Sequence, residues 1–232
     1  MGRVIGIGVG PGDPELLTVK AVNAIKSADV IIAPRTEKKE GSVALDIARG
    51  YIGETTQVIY QIYPMIMGFE KDTGAWDDNA GQIIELVQTG KQVVFLTLGD
   101  PMFYSTYIYI FNRLEKAGIA VETVPGIPAF CAIASQLGRS SVEGDDILSI
   151  IPATAPEEKI RQALAACDSA VIMKVSKNLD RIAEMLADTN MLEDSVLVSR
   201  CGLPDQEVIE NIATEKHRRL NYLSTILAKG NI

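Results

Sequence analysis

Two short segments of this chain combine glycine, carboxylate and hydroxyl side chains at places where a strand turns into a helix. The first is GVGPGDPELLT at 8–18, directly after the apolar run at 4–7; the second is GDPMFYST at 99–106, directly after the run at 92–98. Glycine permits positive φ and lets a ligand approach the main chain closely, and a βα turn at the carboxyl end of a parallel strand is where such sheets bind ligands. Asp13 can cap the helix that follows it, with Pro14 at the first helical position, where the missing N–H costs nothing. Asp100 places a carboxylate where it can bind ribose hydroxyls, oppose a cation or accept a proton. Ser105 and Thr106 offer hydroxyls on the first helical turn. The pattern predicts a small-molecule site, against the plainer alternative of two ordinary capped turns.

Spacing narrows what such a site takes. The first segment carries glycine at 6, 8, 10 and 12. A GxGxxG fingerprint would need glycine at 11 or 13, which hold Pro11 and Asp13, and no GxxxxGK[ST] occurs in the chain. Asp13 would also set a carboxylate where a pyrophosphate has to sit, a like-charge conflict at a helix N-terminus. A nicotinamide oxidoreductase is therefore a poor reading, whereas a nucleoside without phosphates is compatible. The net charge of −8 argues against a general nucleic-acid binder, which would show a basic face; Arg35, Lys38, Lys39, Arg139, Lys174, Lys177 and Arg200 are the local cations available to an anionic substrate. Cys131, Cys167 and Cys201 have no metal-type spacing and lie in apolar sequence, so three reduced core thiols are expected, with no zinc site and no disulfide. The single histidine, His217, is far from both segments and is given no catalytic role.

The elements that position these residues follow from periodicity. Apolar β-rich runs at 4–9, 30–33, 57–60, 93–98 and 120–124 alternate with helical patterns near 15–27, 42–50, 77–89 and 103–117, the last with Phe103, Tyr107, Ile110, Phe111 and Leu114 on one face. A stiff turn, PGIP at 125–128, follows. Strands are then expected at 147–151, 170–175, 195–199, 207–210 and 222–228, with helices near 157–166 and 178–187. The fold class is α/β: two α/β domains, 1–124 and 125–232, with a cleft between them, the first sheet mostly parallel and the second mixed. No apolar run approaches the ~18 residues of a spanning helix, and the chain opens directly on a strand, so a cytoplasmic protein with no membrane partner is expected.

The chain resembles the tetrapyrrole methylase family, the S-adenosylmethionine-dependent enzymes of corrin and sirohaem synthesis, over nearly its whole length. The resemblance rests on GVGPGDPELLT, on LGDPMFYST at 98–106, on VPGIPAF at 124–130, and on their order and spacing. Within the family the chain is most similar to the C-20 methyltransferases that act on precorrin-2 or cobalt-factor II, through APR at 33–35, YPM at 63–65 and EGDDILSIIPAT at 143–154. The resemblance implies a methyl donor folded into the cleft. Its contacts fall on Pro11, on Leu98, Gly99 and Asp100, near Phe103, on Pro128 and Ala129, near Met173 and near Gly202, with the hydroxyls of Ser105 and Thr106 beside them. The family commonly has a small hydroxyl residue where this chain has Pro128. A homodimer is also implied, and the apolar stretch at 62–69 is compatible with its interface.

Methyl transfer from a sulfonium is an in-line displacement, and it asks the protein for positioning and charge rather than for a covalent nucleophile or a bound metal. Asp100 is the side chain expected to influence the attacked meso carbon, by opposing positive charge or by accepting the departing proton; Tyr104 is a weaker candidate for orienting substrate. The carboxylates on the tetrapyrrole rim call for cations. Arg35, ending the second strand, and Arg139, just after the interdomain helix, are the expected partners, with Lys38 and Lys39 in a polar segment that could form a flap. Two alternatives stay open: a methyltransferase for another corrin position, and a nucleoside-binding regulatory module without catalysis.

Overall fold

A computed structural model describes residues 2–36, 41–63, 74–215 and 217–230. It divides into two compact units, Met1–Pro128 and Ala129–Ile232. Lys38 and Lys39, and residues 64–69 of the expected interface stretch, lie outside the described residues.

In the first unit β1 (Arg3–Gly8), β2 (Val30–Arg35), β3 (Gln57–Ile62), β4 (Gln92–Thr97) and β5 (Val121–Val124) form one sheet in the order β3-β2-β4-β1-β5, and every pairing in it is parallel. Parallel neighbours need crossovers, supplied by α1 (Val19–Lys26), α2 (Val43–Ala48), α3 (Gly74–Gln88) and α4 (Tyr107–Lys116). The steps β1 to β2 to β3 travel one way along the sheet, and β3 to β4 to β5 travel the other. Right-handed crossovers then put α1 and α2 on one face and α3 and α4 on the opposite face. Packing agrees: Val4, Val30, Ile32, Val93 and Phe95 are buried with Trp76 and Ile83 of α3 and with Tyr107, Ile110 and Leu114 of α4. The alternate residues Ile5, Ile31, Val94 and Leu96, equally buried, turn to the other face.

Two helices start later than periodicity predicts. Asp13 does cap, accepting the Glu15 N–H at 2.8 Å, but it closes only a 3₁₀ turn, Pro14–Leu16. Leu17 is extended, and Thr18 then makes a second cap, its Oγ1 accepting the Ala21 N–H at 3.2 Å, so α1 starts at Val19. In the same way α4 begins at Tyr107 rather than near Phe103, because Tyr104 adopts φ +50° and Ser105 Oγ accepts the Tyr107 N–H at 2.9 Å. Short polar side chains at a helix entrance compete for the backbone, and the last of them sets the start.

The second unit holds β6 (Leu148–Pro152), β7 (Ser169–Met173), β8 (Val196–Ser199), β9 (Glu207–Ile209) and β10 (Ser224–Lys229) in the order β6-β7-β10-β8-β9. Only the β6–β7 pair is parallel; β7–β10, β10–β8 and β8–β9 are antiparallel. One face, with Ala170, Ile172, Leu197 and Ile226, packs on α6 (Glu157–Ala165) and α7 (Leu179–Asp188). The other, with Val171, Val196, Val198 and Leu227, packs on α5 (Ala129–Leu137). One expectation fails here: Cys201 is buried and Cys167 half-buried, but Cys131 is exposed. The segment AFCAIAS is apolar all round, so its periodicity does not reveal that Ile133 faces the core while Cys131 faces out. Among the described residues no helix is long and apolar enough to cross a membrane.

Candidate functional site

Because β4, β1 and β5 are parallel neighbours, the turns that leave their carboxyl ends meet. Val9 N–H donates to Thr97 O at 2.9 Å, and Gly10 and Gly99 exchange backbone hydrogen bonds, Gly99 N–H to Gly10 O at 2.8 Å and the reverse at 3.3 Å. The glycines divide by function. A Cβ on Gly6 would fall on the Tyr107 ring, and one on Gly8 would stand 2.5 Å from Gly126 Cα, so these two positions serve chain-on-chain packing rather than ligand approach. Gly10 and Gly99 supply positive φ, +75° and +69°. At Gly99 nothing stands within 4 Å of the place a Cβ would take, which leaves open space against the main chain.

Asp100 ties this arrangement together. Its Oδ1 accepts the Met102 N–H at 2.9 Å within its own turn, and its Oδ2 accepts the Gly126 N–H at 3.0 Å from the turn after β5. A carboxylate held on both oxygens by backbone donors is fixed in direction, yet it keeps lone pairs for a further partner. The polypeptide then turns tightly, Phe103 N–H donating to Asp100 O at 3.3 Å. Tyr104 is exposed, its ring meeting that of Phe103 edge-on at 5.0 Å. Ser105 is buried and spends its hydroxyl on capping, whereas Thr106, at the cap position of α4, makes no side-chain cap bond. Pro11 is buried, and Leu98, Gly99 and Pro128 are half-buried.

Arg35 ends β2, the strand next to β4 in the same sheet. The β2–β4 ladder stops at Ile32 opposite Phe95, while β2–β3 continues to Arg35 opposite Ile62 and β1–β4 to Gly8 opposite Thr97. The cause is Pro34. Arg35 O accepts the Tyr63 N–H at 3.0 Å on the β3 side, so by strand alternation the preceding residue faces β4, and proline has no N–H to give it. Past Phe95 the β2–β4 hydrogen-bond ladder therefore ends, with Arg35 closing β2 and Leu98, Gly99 and Asp100 following β4. The adjacent strands β2 and β4 send their connections to opposite faces, the crevice-forming arrangement of open α/β sheets. The Arg35 guanidinium lies 5.6 Å from the centre of the Tyr60 ring.

Within the second unit, Met173 ends β7, opposite Thr225, and Gly202 follows β8, whose Ser199 lies opposite Ser224; both thus lie at one end of that sheet. Ala129, Met173 and Cys201 belong to one apolar cluster. Gly202 has φ +73° and donates its N–H to Gln206 Oε1 at 2.7 Å. Arg139 is at the other end. It lines a cavity of about 40 Å³ with Leu148, Ser169, Val196 and Lys229, and it donates to Asp194 O at 3.5 Å. The length of β7 separates it from Met173. His217 is exposed and paired with Asp180 at 2.9 Å.

Sequence reasoning missed the Asp100–Gly126 link and Thr97, whose hydroxyl is buried at the end of β4. A polar residue closing the run QVVFLT was the available signal for the second; the first joins turns that only the register brings together.

Comparison with known proteins identifies the family. A family model, Tetrapyrrole (Corrin/Porphyrin) Methylases, matches residues 3–216. The chain is 37% identical to a cobalt-precorrin-2 C(20)-methyltransferase of Salmonella typhimurium, covering 97% of this chain and 95% of the relative. It is 34% identical to a precorrin-2 C(20)-methyltransferase of Sinorhizobium sp, covering 99% and 96%. Among solved structures it matches a uroporphyrin-III C-methyl transferase from Thermus thermophilus complexed with S-adenyl homocysteine, with a TM-score of 0.73, 22% identity, and 97% of each chain covered. It also matches a cobalt precorrin-4 methyltransferase at a TM-score of 0.76 and 22% identity, over 98% of this chain and 94% of the other. These two structural likenesses speak for the fold.

Proposed function

Because the chain belongs to the tetrapyrrole (corrin/porphyrin) methylase family, we propose that it transfers a methyl group from S-adenosylmethionine to the C-20 meso carbon of precorrin-2 or cobalt-factor II in cobalamin biosynthesis. The observation that carries the substrate is the near full-length similarity, at 37% and 34% identity, to two enzymes named for the C-20 reaction.

The residues present fit the donor: the main chain at Gly99 is open where a side chain would stand, beside a carboxylate fixed by two backbone N–H groups. When bound, the donor supplies a sulfonium methyl that carries its own leaving group. Pro11, Leu98, Gly99, Asp100, Phe103, Ser105, Thr106 and Pro128 are the residues of the first unit that hold it. Ser105 acts through the backbone it caps, since its hydroxyl is already engaged. Asp100 opposes the positive charge that develops as the macrocycle is alkylated, or takes the proton whose loss restores conjugation. Tyr104, exposed beside this turn, orients the substrate. Arg35, at the carboxyl end of β2, pairs with a rim carboxylate. The placement of Arg139 at the far end of β7 from Met173 makes it the weaker of the two expected cations. The same reading makes the protein a cytoplasmic homodimer, a state that sedimentation velocity measures.

The test is anaerobic incubation with labelled S-adenosylmethionine and either metal-free precorrin-2 or cobalt-factor II, with mass spectrometry and NMR of the product. One added methyl at C-20 is the expected result, and the substrate that accepts it tells whether cobalt is already in the ring. A methyl at another carbon overturns the position, and no transfer to either substrate overturns the reaction.

A further inference from the structure

Thr97 closes β4 after four apolar residues and is 8% exposed, and its Oγ1 is buried with no hydrogen-bond partner among the described residues. A hydroxyl shut away from water and left unpaired is a cost that a valine of the same shape would not carry, so its presence asks for a partner. Ser105, Asp100 and Tyr107, on the neighbouring turn and at the helix entrance, bond elsewhere. Ser105 Oγ holds the Tyr107 N–H, the Asp100 oxygens hold Met102 and Gly126, and the Tyr107 hydroxyl is hydrogen-bonded to Thr123 Oγ1 at 2.7 Å.

The position of Thr97 is specific. By strand alternation its side chain shares the face of Val93 and Phe95, one step further toward the carboxyl end. That step lies past the last β2–β4 pair and two residues before the open main chain at Gly99. We propose that the Thr97 hydroxyl is a binding group for the methyl donor, making a hydrogen bond to one of its polar groups when the donor occupies the turn at 98–100. This rests on the donor reading given above. The hydroxyl is left unpaired in the donor-free protein and is satisfied on binding.

The isosteric substitution Thr97→Val removes the hydroxyl alone, and Thr97→Ser keeps it. Calorimetric titration with S-adenosylhomocysteine is expected to show roughly three- to tenfold weaker binding for Thr97→Val, the range one net hydrogen bond gives, and near wild-type binding for Thr97→Ser. Melting of the ligand-free proteins is expected to show Thr97→Val at least as stable as wild type. Equal affinity of Thr97→Val and wild type overturns the proposal, as does a clear loss of ligand-free stability in Thr97→Val, which would mean that the hydroxyl already has a partner inside the protein. A wild-type protein that fails to bind S-adenosylhomocysteine overturns the donor reading itself.

Discussion

The Asp100 carboxylate accepts the Gly126 N–H at 3.0 Å, joining the turn after β4 to the turn after β5 across 26 residues of sequence. Its other oxygen holds Met102 N–H, so both oxygens must be acceptors. In Asp100→Asn one of the two backbone donors meets an amide NH₂ instead. Loss of one charge-assisted bond costs about 1.5–3 kcal/mol, and the turn at 98–100 loosens. Urea unfolding of the ligand-free protein is expected to show the destabilisation, and titration with S-adenosylhomocysteine a weaker affinity. Wild-type stability in this variant would show that the carboxylate does not hold the turns together.

Glycine substitutions separate packing from ligand space. In Gly126→Ala the new Cβ would lie on Gly99 O and 2.7 Å from Gly8 Cα, both main-chain atoms that cannot swing aside, so overpacking of about 1–3 kcal/mol is expected. In Gly99→Ala the Cβ meets nothing, and only the positive φ of +69° is paid for in strain, roughly 1–2 kcal/mol. Gly99→Ala is therefore expected to lose more donor affinity, and Gly126→Ala at least as much stability. Equal losses in both measurements for both variants would refute the distinction.

How much of this was readable in the chain depends on the range of the interaction. The alternation of strands and helices, the parallel first sheet and the mixed second sheet follow from local periodicity, and the structure has them. Both glycine turns are equally plain. The role of each glycine is not, because Gly6 and Gly8 differ from Gly99 only through what the register brings opposite them: a tyrosine ring, another glycine, or open space. Helix starts were misread where Asp13 and Thr18, or Phe103 and Ser105, offer rival entrances a few residues apart. Arg35 and Arg139 look alike in sequence. They part company because one ends a strand at the carboxyl edge of the first sheet, past the last β2–β4 pair, while the other follows a helix toward the starts of β7 and β8.

That difference gives a paired prediction. Arg35→Met removes a guanidinium at the carboxyl end of β2, and a tetrapyrrole carboxylate that loses such a charged partner is expected to bind roughly ten- to a hundredfold more weakly. Binding of S-adenosylhomocysteine should be unchanged. Arg139→Met is expected to alter neither. Absorbance titration with the tetrapyrrole and calorimetry with the nucleoside read the two separately, and an Arg35→Met protein with wild-type tetrapyrrole affinity would remove Arg35 from the site.

The packing beneath the site also carries a pH signature. Tyr107 lies against Gly6 and is hydrogen-bonded to Thr123 Oγ1; burial raises its phenol above the ordinary value near 10, against a smaller lowering by Thr123. Burial raises Tyr63 as well. A phenol whose folded value exceeds its unfolded one binds its proton more tightly in the native state. Its contribution is complete below about pH 10 and is lost as pH rises from there through the folded value. Stability should therefore fall in the alkaline range. Tyr107→Phe removes one of these protons and also leaves Thr123 without its partner, so the variant is expected to be less stable at neutral pH, by about 0.5–1.5 kcal/mol, yet to decline less steeply above pH 10. Denaturant unfolding of both proteins from pH 7 to 11 measures the two slopes. Parallel curves would mean that Tyr107 ionises in the native protein as readily as in the unfolded chain, and that the helix entrance is more open to water than its packing on Gly6 implies.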